Sequence, residues 1–356
     1  MQAQASPKWN FLPIVHGIKK RLLKVEPRAL SEYASRTWSI APGETSKPNA
    51  AFFLPGQLDK VTGWVFADEH PGREMLGGFE RSHAPTRAFL LRDAWLIDGV
   101  LYKGTACEHL HPRRKGLPEL RVTQTIDRAA VYCTPGGNMY FGQWLMDDCV
   151  TYPLAMAEGT PVTTAQPAYP HTKVYEDWLG MNPVRVPSAY LRELVIFEDV
   201  GQNQGKHKRF AAMGEKLRAH VDEVKPHPGV FILRGRTGES RLLHNELELA
   251  DQLRVNRGFR ILDPAKSDVP TIVSACAGAQ TVVGIEGSGL IHGILLLPPG
   301  GAVLTLQPPN RFVSVYKHLT DRDGQRFGFV VGTPERDGFH IVPDELERTL
   351  DLLSRH

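Results

Sequence analysis

Two patterns of apolar and polar positions divide the chain. From about residue 50 to 135, short apolar or alternating runs are punctuated by Gly, Pro, Asp and His: AFFL at 51–54, RAFLLRDAWLIDGVLY at 87–102 and RAAVYC at 128–133. Such runs predict short strands joined by loops. From about residue 229 the pattern alternates. GVFILR (229–234), FRILD (259–263), TVVGI (281–285), AVLTL (302–306) and FGFVVG (327–332) predict strands, and 245–257, 268–277, 288–296 and 344–354 predict helices. Strands alternating with helices imply parallel βαβ units and a Rossmann-like sheet, which takes ligands beyond the carboxyl ends of its strands. Between the two patterns, PVRVP at 183–187 reads as an edge strand or linker, and the polar, Gly-containing GQNQGKHK at 201–208 marks the expected domain boundary.

Length sharpens this division. A chain of 356 residues exceeds the roughly 250–300 at which a single core stops growing. The expected organisation is therefore an N-terminal domain over 1–200, a C-terminal Rossmann-like domain over 201–340, and a closing amphipathic helix over 341–356 packing back toward the N-terminal domain. The net charge of +3 argues against a general nucleic-acid binder. Two local basic clusters remain, Lys206 with Lys208-Arg209, and Lys19-Lys20-Arg21 with Lys24. Each reads first as a solvated face; the sharper reading of the second is attraction to an anionic membrane surface. Cys107, Cys133, Cys149 and Cys276 form no CxxC pair, which fits a reducing compartment. The N-terminal residues show no charged start followed by an apolar core, and the apolar stretch at 290–306 is broken by His292, Pro298, Pro299 and glycines. The expectation is a cytoplasmic protein with, at most, peripheral contact at the inner membrane face.

Four stretches could carry chemistry. In VVGIEGSGLIHG (282–293) a buried strand runs into Glu286, Gly287, Ser288 and Gly289 and then a helix. Glycines let backbone approach a ligand, and a helix start offers N–H groups to a pyrophosphate; the plainer reading is a tight turn. The spacing is neither the dinucleotide fingerprint nor a nucleophile elbow, which weakens an oxidoreductase reading. In LRGRTGESRLLHNE (233–246) Arg234, Arg236 and Arg241 follow the first strand of the half, where guanidinium groups can grip phosphate; the plainer reading is a solvated loop. In YFGQWLMDD (140–148) the aromatic residues Tyr140, Phe141 and Trp144 could stack on a sugar, and Asp147 or Asp148 could take a proton; the plainer reading is core aromatics and first-turn carboxylates. Cys107, His109 and His111 have ligand chemistry but lack an obvious fourth ligand, so no metal is expected.

Taken in order, YFGQWLMD, ILRGRTGESRLLHNE and VVGIEGSGLIHG followed by LLPPGG resemble glycosyltransferase family 61, over about residues 138–310. The resemblance implies a GT-B-like α/β fold, with two Rossmann-like domains facing across a cleft. It implies an inverting, metal-independent transfer from a nucleotide-sugar, a UDP-sugar in the first instance, to a glycan or lipid-linked acceptor. In bacterial relatives the setting is capsule and other surface polysaccharide biosynthesis, and no further cofactor is implied. Carried over by position, Arg234, Arg236, Arg241, Asn245, Gly287, Ser288, Gly289 and His292 face the donor. Tyr140, Gln143, Trp144 and Asp148 face the acceptor, and Asp147 or Glu286 acts as the base. This chain departs from the family pattern where Gln143 and Glu286 replace histidines, where His292 replaces asparagine, and around Thr305, where relatives often carry a carboxylate. The base is thus open among Asp147, Glu286, Asp148 and His292. Loss of both histidines also admits a non-catalytic nucleotide- or carbohydrate-binding relative.

Overall fold

A computed structural model describes residues 8–22, 24, 28–111, 120–164, 169–222, 224–235 and 241–355. The chain forms two compact units, Met1–Gly43 with Ala84–Gly201, and Glu44–His83 with Gln202–His356. The chain passes between the units at 43/44, 83/84 and 201/202. AFFL, expected among the N-terminal strands, therefore belongs to the second unit. Phe52 N–H donates to Phe327 O at 2.8 Å and Phe329 N–H donates to Phe52 O at 3.2 Å, so the segment pairs beside a strand of the later sheet.

The first unit holds an eight-stranded mixed sheet. Val184–Arg185, Thr160–Thr163, Thr125–Val131 and Ala189–Glu198 run parallel in that order. Thr86–Ile97 then pairs antiparallel with Ala189–Glu198 and leads into the meander Val100–Lys103 and Ala106–His109, while Arg36–Ala41 pairs with Thr86–Ile97. This sheet is mixed where a Rossmann-like domain is expected to be parallel. The short Gly99 and Gly104 turns explain the difference, since turns of that length can join only antiparallel neighbours. Leu91, Leu96, Ala129, Val131, Val162, Leu191 and Leu194 form its core.

The second unit is a doubly wound α/β domain. Its five parallel strands lie in the order Arg260–Leu262, Val230–Ile232, Thr281–Ile285, Ala302–Gln307, Arg326–Val331. The inner strands are apolar almost throughout because helices cover both faces. On one face Leu249 and Leu253 of Glu246–Arg257 and Leu346, Leu350 and Leu353 of Pro343–Ser354 pack on Phe231, Val283, Leu304 and Val330. The closing helix thus belongs to the core of the second unit. Helices Gln204–Arg218, Val269–Ala277 and Leu290–Leu296 pack on one another on the other face. Asn203, in the polar stretch that marks the expected domain boundary, caps the first of these by accepting from Lys206 N–H at 3.1 Å. No helix among the described residues is long and apolar enough to cross a membrane.

Candidate active site

Numbered along the chain, the five strands of the second unit stand in the order 2-1-3-4-5. The order reverses between Val230–Ile232 and Thr281–Ile285, and such a switch point opens a crevice beyond the strand carboxyl ends. The segments that leave those two strands are Leu233–Gly235 and Glu286–Gly289, the two that sequence marks out separately. The structure brings them together. A β-carbon at Gly287 would collide with the Arg234 guanidinium, so only glycine lets that side chain lie against the turn. Below it, Glu246 accepts from the N–H groups of Arg234 at 2.6 Å and Gly235 at 2.9 Å, which fixes the path of the loop.

Three guanidinium groups converge on one carboxylate. Arg241 Nε lies 2.7 Å from Glu286 Oε1, and its Nη1 donates to the Glu286 carbonyl at 3.2 Å. Arg311 Nη1 donates to the same Oε1 at 2.7 Å. Arg234 and the buried Tyr316 complete the cluster, the Tyr316 hydroxyl bonding to the Gly287 backbone. Glu286 is only 2% exposed. Burial pushes its carboxyl up, while the guanidiniums of Arg241, Arg311 and Arg234 pull it back. Burial, and then Arg241 beside it, lowers Arg234. Arginine nevertheless stays charged in proteins, so three positive groups stand around this one carboxylate.

The turn itself contributes less than its sequence suggests. Glu286 N–H donates to Leu306 O at 3.1 Å, Leu290 N–H to Gly287 O at 3.1 Å and Ile291 N–H to Ser288 O at 3.3 Å. The fold therefore uses several of the amides expected to cradle phosphate. The helix that follows, Leu290–Leu296, is seven residues long, too short to build a full dipole.

The remaining donor-side residues are placed differently from one another. Ser288 and Gly289 stand half-buried at the turn. His292 is 2% exposed, inside the short helix. The Asn245 amide donates to Ile341 O at 2.8 Å and its Oδ1 accepts from Ile341 N–H at 3.3 Å. That bracket ties the start of Glu246–Arg257 to the approach of the closing helix, so the Asn245 side chain serves the fold rather than the crevice. Arg236 lies outside the described residues. Arg311 and Tyr316 escaped the sequence reading. The signal for Arg311 was present, because it follows the fourth strand as Arg234 follows the first. Gln307 pins its loop, donating to Val313 O at 3.0 Å and accepting from Val313 N–H at 3.2 Å. Buried Thr305 accepts from Gln307 Nε2 at 3.2 Å, a structural use of the position where relatives often carry a carboxylate.

In the first unit, Phe141–Gln143, a π-helical turn Trp144–Asp148 and Cys149–Glu158 follow without a break. Cys149 N–H reaches back five residues to Trp144 O. π turns recur at functional sites, and this one carries both acidic residues, Asp147 and Asp148. Asp148 is fully buried and accepts from Thr134 N–H at 3.1 Å and Thr134 Oγ1 at 2.9 Å. It anchors the turn before the helix; a β-carbon at Gly137 would collide with it. Asp148 is therefore placed in the interior, not at an acceptor surface. Trp144, 3% exposed, packs with Phe141, Tyr169 and Tyr175 at ring separations of 5.8–6.4 Å and belongs to the same interior. Asp147 and Gln143 are half-buried, and Tyr140 is 41% exposed. These three keep a surface that a ligand could meet.

Cys107 and His109 share one face of Ala106–His109, and His111 lies beside Gly99. Among the described residues no three His, Cys, Asp or Glu side chains gather in a group that could hold a metal ion.

Comparison with known proteins gives a family and little more. No curated protein matches the sequence. A solved structure, described as dodecameric iron-containing heptosyltransferase TibC in complex with ADP-D-beta-D-heptose, covers 80% of this chain and 80% of its own at 11% identity. Its TM-score is 0.28, and at that distance it bears on neither fold nor activity here. The family model described as Glycosyltransferase 61 matches residues 117–304. That span is more than half of the chain and holds the π turn, the arginine loop and the glycine turn, and so the chain belongs to glycosyltransferase family 61.

Proposed function

We propose that this protein is an inverting, metal-independent glycosyltransferase. It moves a sugar from a nucleotide-sugar, a UDP-sugar in the first instance, to a glycan or lipid-linked glycan acceptor in surface polysaccharide assembly such as capsule. Its two units take the GT-B-like arrangement that the family resemblance implies. The observation that carries the reading is the cluster of Arg234, Arg241 and Arg311 around Glu286 at the switch point. Departure of a nucleoside diphosphate builds negative charge on the leaving phosphate oxygen. Preorganised positive groups aimed at that position lower the barrier, and guanidiniums can supply the charge a divalent ion supplies elsewhere. In a single displacement the acceptor oxygen bonds to the anomeric carbon, the bond from that carbon to phosphate breaks, and the acceptor proton passes to a base. Asp147 suits that role better than Glu286, because Glu286 Oε1 is held by two guanidiniums. None of Cys107, Cys133, Cys149 and Cys276 is in a disulfide, which supports a cytoplasmic setting.

Calorimetric titration with UDP tests the reading. A hydrogen bond to a charged group contributes about 1.5–3 kcal/mol, so Arg241→Ala should weaken UDP binding by about ten- to a hundredfold. Asp147→Asn should keep UDP affinity and lose transfer. Equal UDP affinity in Arg241→Ala and the native protein, or no nucleotide binding at all, sinks the proposal.

A further inference from the structure

The N-terminal helix Leu12–Leu22 shows an outer face that a water-facing helix would not carry. Ile14 is 42% exposed, Val15 40%, Ile18 50% and Leu22 75%, and Phe11, just before the helix, is 56% exposed. At 3.6 residues per turn these five positions fall within an arc of about 100°. Trp9, 67% exposed, stands two residues before that stripe. The opposite face is already engaged. Leu12 packs against the cluster of Ile97, Val100, Tyr102 and Val122, and the His16 ring lies 5.1 Å from that of Tyr102 and within 3.2 Å of Gly104 O.

The helix is also held in place at its start. Lys8–Trp9 pairs with Arg121–Val122, Asn10 N–H donates to Leu120 O at 2.9 Å, and the Asn10 side chain accepts from Leu12 N–H at 2.9 Å. The apolar stripe is thus fixed outward by the packing of the inner face. Its borders are basic. Lys19 follows Val15 around the helix on one side and Arg21 precedes Ile14 on the other, with Lys24 just beyond the end. Residues 12–22 contain no acidic side chain.

We infer that this helix is a membrane-surface anchor. It lies in the plane of an anionic bilayer with Phe11, Ile14, Val15, Ile18 and Leu22 among the acyl chains and Lys19, Arg21 and Lys24 at the headgroup phosphates. The charge pattern decides for lipid over a second protein copy. An apolar stripe bordered on both sides by cations and free of acids matches an anionic surface, and two such faces brought together would oppose like charges. The anchor lies outside the proposed donor site and does not depend on the transferase reading.

Co-sedimentation of the full chain with lipid vesicles tests this. Vesicles of equal parts phosphatidylcholine and phosphatidylglycerol should bind the protein, phosphatidylcholine alone should bind it about tenfold more weakly or worse, and added salt should reduce binding. Ile18→Ser with Leu22→Ser should cut the bound fraction about tenfold while leaving the melting temperature unchanged, since both side chains are exposed. Lys19→Glu with Arg21→Glu should abolish the preference for anionic lipid. The inference is overturned if the native chain stays in the supernatant with anionic vesicles. It is equally overturned if both double variants bind as the native protein does, or if the serine variant loses a concentration-dependent dimer instead of vesicle binding. UDP titration of the same variants separates this outcome from failure of the donor site.

Discussion

A general base needs a lone pair that the acceptor hydroxyl can reach and a pKa near the working pH. Glu286 has a carboxyl pushed up by burial, which is the usual mark of such a group, but its Oε1 is gripped by Arg241 and Arg311. It reads better as the counter-ion that lets three guanidiniums stand together in a buried place. Glu286→Gln separates the two roles, because the amide keeps the shape and removes the charge. As a counter-ion, its loss takes the negative charge from between Arg241 and Arg311 and should destabilise the fold by about 3 kcal/mol, the scale for breaking a buried pair. Added pyrophosphate should then raise the melting temperature of the variant by more than it raises that of the native protein, since the bound anion replaces the missing charge. A base would behave otherwise: melting temperature and UDP affinity would stay, and only turnover would fall. Thermal melts with and without pyrophosphate read the difference.

Helix Val315–Arg322 meets helix Pro71–Leu76 through His318, whose Nε2 lies 3.0 Å from Glu74 Oε2. Burial, and then the charge of Arg81, lowers the His318 pKa to about 4. In the unfolded chain the same ring takes its proton near the ordinary histidine value of 6.5. Between those values the unfolded state binds more protons, so stability is full above about 6.5 and falls as pH drops toward about 4. The ceiling on this one contribution is about 3 kcal/mol. His318→Gln should flatten the decline of melting temperature over that window, and parallel declines in the two proteins would remove His318 as the cause. Neither helix of this contact was legible in the sequence. The strands of the second unit were, because burial on both faces forces continuous apolar runs such as AVLTL. Their helices were legible where a cap or an apolar stripe marked them, as at Asp268 and along 344–354. Gln204–Arg218 escaped the sequence reading because its start falls in the polar stretch 201–208 and its apolar positions, Phe210, Met213 and Leu217, are few among lysines and arginines. The arginine loop and glycine turn were visible each by itself. Their convergence through Arg234 and Gly287 depends on strand order, and no local pattern encodes that.

The excursion of residues 44–83 makes the second unit depend on residues far from the rest of it in sequence. Phe52 pairs beside Arg326–Val331, and Phe53 stacks on Phe329 at 4.8 Å between ring centres. Buried Gln57 accepts from Val331 N–H at 2.6 Å, and Lys60 bonds to Glu345 of the closing helix at 2.6 Å. Thr62 N–H donates to Pro309 O at 2.7 Å and Phe312 N–H to Gly63 O at 2.9 Å, so the excursion also backs the loop that carries Arg311. A fragment of residues 202–356 holds all five parallel strands and every described arginine of the cluster, and by the sequence division it should fold and bind nucleotide alone. The structure says that it lacks the partner of its outer strand and leaves Phe312, Phe329 and the Val331 amide open to water. Exposed apolar surface beside an unpaired strand edge favours aggregation. The fragment alone is therefore expected to aggregate or to lose near-ultraviolet circular dichroism, with no UDP binding. Joining residues 44–83 to it through a flexible linker should restore a cooperative melt and nucleotide binding. A cooperative melt in the fragment without 44–83 would show that the excursion is an ornament on the domain and not part of its core.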